Sequence, residues 1–437
     1  MSTLFRDARL ADGRRRDVRT DSGTIVAVAD AVDPDPVDRV VDADGRLLLP
    51  GAIDAHVHFR EPGDAHKETW TTGSRSAAAG GVTTVVDQPN TTPPTVTRET
   101  FDRKAELATA SYVDYGLNGG VTSAWEPDSL FDRPLFALGE VFLADSTGGM
   151  GIDTDRFAAA VDRAADAGVT VTVHAEDATR FDETARDNDT GGAGRDADAA
   201  YWSQYRPAEA EAAAVEEAVE IGSAAGATIH IAHTSTPGGV DAAVEGGATC
   251  EATPHHLLLD RSDLADLGTF GRMNPPLRSP DRRARLYERL VDGRVDIVAT
   301  DHAPHARAEK DTDVWTAPSG IPGVETMVPL LVARARDPDD PLSVERVHET
   351  TAAAPADLLG LSAKGRIREG ADADLALYET GTRPVRGESL HSRCGWTPFE
   401  GEMAAFPSLT LLRGAVVYER QADQERFGPA HGRNVRG

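Results

Sequence analysis

The stretch GAIDAHVHF (51–59) decides the fold. It reads as a short apolar strand that ends in two histidines separated by one residue. Strand alternation places His56 and His58 on the same side, where two imidazoles can reach one ion. Seven more runs of this kind follow: GVTTVVDQP (81–89), VDYGLNGGV (113–121), ALGEVFLA (137–144), GVTVTVHAE (168–176), ATIHIAHTS (227–235), ATCEATPHH (248–256) and VDIVATDHA (295–303). Ala/Glu/Arg-rich helical stretches separate them. Eight βα units in series predict an α/β fold, a (β/α)8 TIM barrel over 51–361, with the C-terminal strand ends gathered on one face.

Outside the barrel the pattern changes. DSGTIVAVAD (21–30) and GRLLLP (45–50) precede it; GRIREGADADLALYE (365–379) and TLLRGAVVYER (410–420) follow it. Neither end is long enough to bury a core alone. Residues 1–50 and 362–437 are therefore expected to pair into one small composite β-sandwich. The polar stretch DNDTGGAGRDADAA (187–200) reads as a flexible inserted loop, and the tail beyond Gln421 as surface.

Charge limits the partners. The 437 residues carry 45 Lys+Arg against 72 Asp+Glu, a formal charge of −27. That balance argues against nucleic acid and against anionic membrane faces. It suits a halophilic protein whose self-repulsion is screened by salt. Lys67, Lys104, Lys310 and Lys364 are the only lysines; the other cations are arginines. Cys250 and Cys394 form no disulfide framework, and no apolar leader or spanning run is seen, so a cytoplasmic protein is expected.

Four strand ends share one chemistry. His56 and His58 end the first, His174 the fifth, His233 the sixth and Asp301 the eighth. Imidazole plus carboxylate suits Zn2+ or another divalent first-row metal. Such an ion lowers the pKa of bound water from about 15.7 to about 7. Arg60, two residues past His58, is placed for a bidentate grip on a carboxylate. Asn90 and Asn274 follow the second and seventh strands and can offer amide donors, with His305 one turn beyond Asp301. His66 and the pair His255-His256 read as structural. APSGIPG (317–323) carries two glycines and two prolines near this end and is a candidate lid.

The chain resembles class I dihydroorotases of the amidohydrolase superfamily over nearly its whole length. The resemblance rests on GAIDAHVHFREPG (51–63) with HKETW (66–70), AAAGGVTTVVDQPNTTP (77–93), RMNPPLR (272–278), DIVATDHAPH (296–305), GIPGVET (320–326) and SRCGWTPFEG (392–401). It implies two zinc ions per subunit, one held by His56, His58 and Asp301 and the other by His174 and His233. It implies that Asp301 shuttles the proton. It also implies that Arg60, Asn90, Asn274, His305 and the Ser319-Gly320 backbone bind the substrate, with His58 beside them. The reaction implied is reversible closure of N-carbamoyl-L-aspartate to L-dihydroorotate in pyrimidine synthesis. The small-molecule substrate is the partner this requires; a homodimer is left open.

One departure stands out. Many relatives bridge their metals with a carboxylated lysine on strand four, where this chain reads GEVFLADSTGG (139–149) with Glu140 at that position. By this strand reading none of the four lysines lies near a barrel strand end. A direct carboxylate is the substitute, and Glu140 is favoured over Asp145, which differs by an odd count along the strand; a single-metal site with neither bridging is the third outcome. A cyclic-amide hydrolase of the allantoinase or hydantoinase type is the alternative activity, and a non-catalytic scaffold a more distant one. Arg60 favours a carboxylate-bearing substrate.

Overall fold

The computed structural model describes residues 2–143, 149–422 and 424–437. Five strands precede the barrel: β1 (Thr3–Arg9), β2 (Arg15–Asp21), β3 (Thr24–Ala29), β4 (Arg39–Asp42) and β5 (Leu48–Pro50). Eight parallel strands then form it: β6 (Ala52–Val57), β7 (Val82–Asp87), β8 (Asp114–Leu117), β9 (Leu138–Leu143), β10 (Val171–Ala175), β11 (Ile229–Ile231), β12 (Thr249–Ala252) and β13 (Ile297–Val298). Each falls inside one of the eight runs read from the sequence. β6–β7–β8 make one parallel arc and β9 to β13 another. Parallel bridges Gly119↔Leu138 and Val57↔His302 join the arcs on both sides, so the (β/α)8 barrel closes.

Six strands follow: β14 (Leu375–Tyr378), β15 (Arg383–Pro384), β16 (Met403–Ala404), β17 (Pro407–Leu412), β18 (Ala415–Gln421) and β19 (Gln424–Phe427). One sheet has the order β3-β2-β1-β4; the other runs β19-β18-β17-β14-β5. The second sheet uses β5 from before the barrel beside β14 from after it, with Leu49 opposite Ala376. Phe5, Val18 and Ile25 of the first sheet bury against Leu375, Leu377, Leu409 and Leu411 of the second. Inward-facing residues of two sheets, drawn from both chain ends, thus make one small core.

The segment between β15 and β17 packs elsewhere. Val385, Trp396, Phe399 and Phe406 join barrel residues Ile321 and Leu330 in a separate apolar cluster. The tail beyond Gln421 lies at the surface as expected, none of its described residues being buried, and main-chain bonds fasten part of it there. Tyr115 of β8 donates its N–H to Arg433 O and accepts at its carbonyl from Val435 N–H, both at 2.9 Å. The stretch 187–200 is likewise fastened: Gly194 N–H donates to Thr312 O, and Asp189 accepts from Trp315 Nε1. Its composition marked a loop, but backbone groups near a packed wall find partners whatever the side chains.

Candidate metal centre and substrate chamber

The barrel delivers its polar residues to one place. His56 lies near the end of β6 and His58 just beyond; Glu140 stands in β9 and His174 in β10; His233 follows β11 and Asp301 follows β13. All six are buried. Arg60, His233 and Asp301 adopt positive φ (62°, 33° and 46°) without being glycine. Such backbone costs roughly 1–3 kcal/mol per residue and is held only where the surroundings impose it. Gly139 lets β9 approach β10: a Cβ there would lie 1.9 Å from Thr172 Oγ1. That approach sets the depth of Glu140.

Two overlapping groups result, His56–His58–Asp301 and His56–Glu140–His233, each with ligand-type atoms within 4.8 Å of one another. Asp301 Oδ1 is 2.9 Å from His58 Nε2 and 3.5 Å from His56 Nε2. Glu140 Oε1 is 2.6 Å from His233 Nε2 and 2.9 Å from His174 Nδ1, and its Oε2 is 3.6 Å from His56 Nε2. Glu140 therefore sits between the two halves. Asp145 lies outside the described residues.

The donor chemistry fits a metal. His56 Nδ1–H donates to Glu251 Oε1 at 2.6 Å, and His58 Nδ1–H to Asn90 Oδ1 at 2.6 Å. Those bonds fix the tautomers and turn both Nε2 lone pairs toward carboxylate oxygens. Acceptors facing acceptors need a cation between or beside them. The edge of a tetrahedron with arms of about 2.0–2.1 Å is roughly 3.3–3.4 Å, close to the His56 separations. His56 Nε2 and His233 Nδ1 are buried with no hydrogen-bond partner among the described residues.

Electrostatics agree. Burial works against charge on His56, yet Glu251 and Glu140 hold its imidazole well above the usual range. Burial likewise opposes ionisation of Glu140, and the His233 charge with the His174 bond overcomes it, holding that carboxyl well below its ordinary value. His58 is lowered, mainly by burial, so a proton is a poor occupant of the space between it and Asp301. Burial also opposes ionisation of Glu176; the Arg206 guanidinium outweighs it and takes that carboxyl down to about 2, beside His174 Nε2 at 3.3 Å.

Above the cluster lies a small polar chamber. His58, Arg60, Asn90, Asn274, Ser319 and Gly320 line it together with Glu140, His174, His233 and Asp301. His305 stands just behind: its Nε2 is 3.2 Å from Arg60 Nη2 and 2.9 Å from Ser319 O. Burial and the Arg60 charge hold this imidazole down to about 3, hence neutral. Asn274 Oδ1 accepts from Trp202 Nε1 and Ser319 Oγ, both at 3.0 Å, which leaves its amide N–H groups for a ligand. His255 and His256 are buried, His256 between Thr253 and Pro275 O, and His66 faces Glu309 at the surface.

Several functional neighbours escaped the sequence reading. Glu251 joins His56 Nδ1, His230 Nε2 (3.2 Å) and His233 N–H (3.1 Å). Asp54 accepts from the backbone of His56 and Thr300. A charged residue inside an apolar strand is the one signal that marks both. The lysine reading needs correction. Lys104, on the helix Arg98–Ala108, sends its ammonium 2.5 Å from Asp87 at the end of β7, without joining the metal cluster. Lys310 is fully buried, and its Nζ donates to the carbonyls of Arg272 (2.9 Å), Pro318 (2.8 Å) and Gly320 (3.2 Å). The 317–323 segment is thereby pinned.

A closed (β/α)8 barrel with histidines and carboxylates converging at its C-terminal mouth is the architecture of a hydrolase built around metal ions. The amidohydrolase family profile matches residues 47–406, and the chain belongs to that family. It is 63% identical to a dihydroorotase of Halobacterium salinarum over 436 residues, covering 99% of each chain. It is 43% identical to a dihydroorotase of Methanosarcina mazei, covering 92% of this chain and 89% of the relative. Among solved structures, the L-hydantoinase (dihydropyrimidinase) of Arthrobacter aurescens superposes with a TM-score of 0.88 at 28% identity, covering 95% and 96%. A D-hydantoinase at 22% identity superposes equally well and shares the fold. No helix among the described residues is long and apolar enough to cross a membrane.

Proposed function

We propose that this protein is a dihydroorotase, interconverting N-carbamoyl-L-aspartate and L-dihydroorotate, with two divalent metal ions, zinc by donor type. The observation that carries the reading is Arg60. Its half-buried guanidinium has no carboxylate within ion-pair distance among the described residues, and it faces the same chamber as the histidine cluster. A substrate carboxylate supplies the missing charge. The identity to dihydroorotases over the whole chain supports it.

His56, His58 and Asp301 would hold one ion, His174 and His233 the other, with Glu140 between. Bound there, the ions would supply an acidified water and a polarised amide carbonyl. Arg60, Asn90 and His305 fix the substrate carboxylate; Asn274 and the Ser319-Gly320 backbone hold the ring amide. Asp301 carries the proton: in ring opening its carboxylate takes it from the attacking water and passes it to the leaving nitrogen. The neutral His305 keeps a lone pair or N–H for the substrate rather than a competing charge.

Purified protein is assayed with dihydroorotate, allantoin and hydantoin, and its metal content counted. Turnover of dihydroorotate is expected; turnover of allantoin or hydantoin alone would replace this reading with the alternative one. Glu140→Ala and Asp145→Ala, each counted for zinc, decide the bridge. Unchanged zinc and rate in Glu140→Ala would remove Glu140 from it.

A further inference from the structure

The inner chamber opens into a wider one, and the two share Arg60, Asn90, Asn274 and Ser319 in their walls. Four cations line the outer chamber: Arg60, Lys67, Arg206 and Arg272. Two are answered. Lys67 lies 3.6 Å from both Asp64 and Glu309, and Arg206 is bonded to Glu176. Arg60 faces the inner chamber. Arg272 is left over.

Arg272 is only 9% exposed, yet no carboxylate lies within ion-pair distance among the described residues, and its Nε is buried without a partner. Its guanidinium stacks 3.8 Å over the Trp202 ring. Stacking holds the plane and leaves the edge donors free for a two-oxygen acceptor. Its own carbonyl is tied to the buried Lys310 ammonium, so the backbone beneath it is anchored. A buried cation lacking a counter-charge is costly unless a ligand supplies one. In a chain of net charge −27, a dianionic substrate also needs a local reversal of sign to approach.

We propose that Arg272 forms an outer carboxylate-binding station, where the acyclic dicarboxylate substrate docks by one carboxylate before moving inward to Arg60. This rests on the dihydroorotase reading for the identity of the ligand, but the station itself requires only a small carboxylate.

The test uses the metal-loaded enzyme and Arg272→Met, with Arg272→Lys beside it. Malonate is the probe, titrated calorimetrically. The parent should bind it, and Arg272→Met should bind it about tenfold or more weakly, as expected for loss of a charge-assisted bidentate contact. kcat/KM should fall by that factor equally in both reaction directions, since the equilibrium constant fixes their ratio, with kcat little changed. Inhibition by dihydrouracil, which has the ring but no carboxylate, should be unaltered. Arg272→Lys should recover part of the malonate affinity. Equal malonate binding in parent and Arg272→Met would overturn the station. So would a parallel loss of dihydrouracil binding, which would make Arg272 a support for Trp202 and Asn274 only. An enzyme inert to dihydroorotate that still binds malonate through Arg272 would sink the activity and leave the station standing.

Discussion

Replacing Glu251 by Gln removes a charge and keeps the shape. In the structure one carboxylate serves three donors: His56 Nδ1, the His233 backbone N–H and His230 Nε2. A Gln oxygen in the Oε1 position retains the first two. Its amide N–H then meets His230 Nε2, and His230 can answer by shifting its proton to Nδ1, which lies 2.8 Å from Thr249 Oγ1. The hydrogen-bond count survives, so folding should survive too. What disappears is the negative charge that keeps His56 oriented and basic. Partners of this kind are worth 10–100-fold in metal affinity, roughly 1.4–2.7 kcal/mol. Zinc affinity, measured by competition with a chromophoric chelator, should fall by about that range while the melting curve stays close to the parent's. Glu251→Ala differs: three buried donors lose their acceptor at about 1–3 kcal/mol each, a large part of a stability of about 5–15 kcal/mol. Parent-like zinc affinity and turnover in Glu251→Gln would refute the reasoning, because His56 would then need no carboxylate behind it.

Three more expectations concern the frame. His391 lies between Glu325 (2.9 Å) and Glu425 (3.1 Å); burial lowers its pKa, but those bonds prevail and raise it to about 10. A raised folded pKa means the stabilisation is whole below about pH 6.5 and disappears as pH rises through about 10. Urea midpoints should decline across that window in the parent, and His391→Gln should lack that component; identical profiles would dismiss the pair of contacts. Lys364 Nζ bridges Asp114 (2.8 Å) and Asp374 (2.5 Å), joining β8 to the outer sheet. Lys364→Met strands a buried carboxylate at about 3–5 kcal/mol; with an unfolding entropy of about 0.9 kcal/mol/K for this length, Tm should drop roughly 3–6 °C by calorimetry. Arg413 Nη1 also pairs with Asp114, and an unmoved Tm would mean that it suffices for that carboxylate. Dialysis from molar salt to about 0.01 M lengthens the screening distance from about 3 Å to about 30 Å. The circular-dichroism signal should then collapse, and full retention would deny the salt-adapted reading of the −27 charge.

Local pattern carried most of the fold. Each barrel strand announces itself by a short apolar run, and in several a residue at or near the C-terminal end marks a candidate ligand, as His174 does in β10. The residues behind the ligands were less visible. Glu251 sits in TCEA, where nothing nearby says that its partner is His56, 195 positions earlier. Lys104 looked like an ordinary helix lysine because helical spacing says which face it occupies, not that Asp87 waits across the interface. The polar tail does lie at the surface, as its composition says, but composition is blind to the main-chain bonds by which Tyr115 fastens it. Whether Glu140 was deep enough depended on Gly139, whose role is steric and silent in any periodicity.

The few amines leave a practical mark. Lys104 and Lys310 are fully buried and Lys364 nearly so. Lys67 is the most accessible lysine side chain, and it stands in the wall of the outer chamber. An acylating reagent applied to the folded protein therefore has one lysine within reach, at the door of the catalytic chamber. The extent of that single modification becomes a gauge of whether the doorway is open or filled.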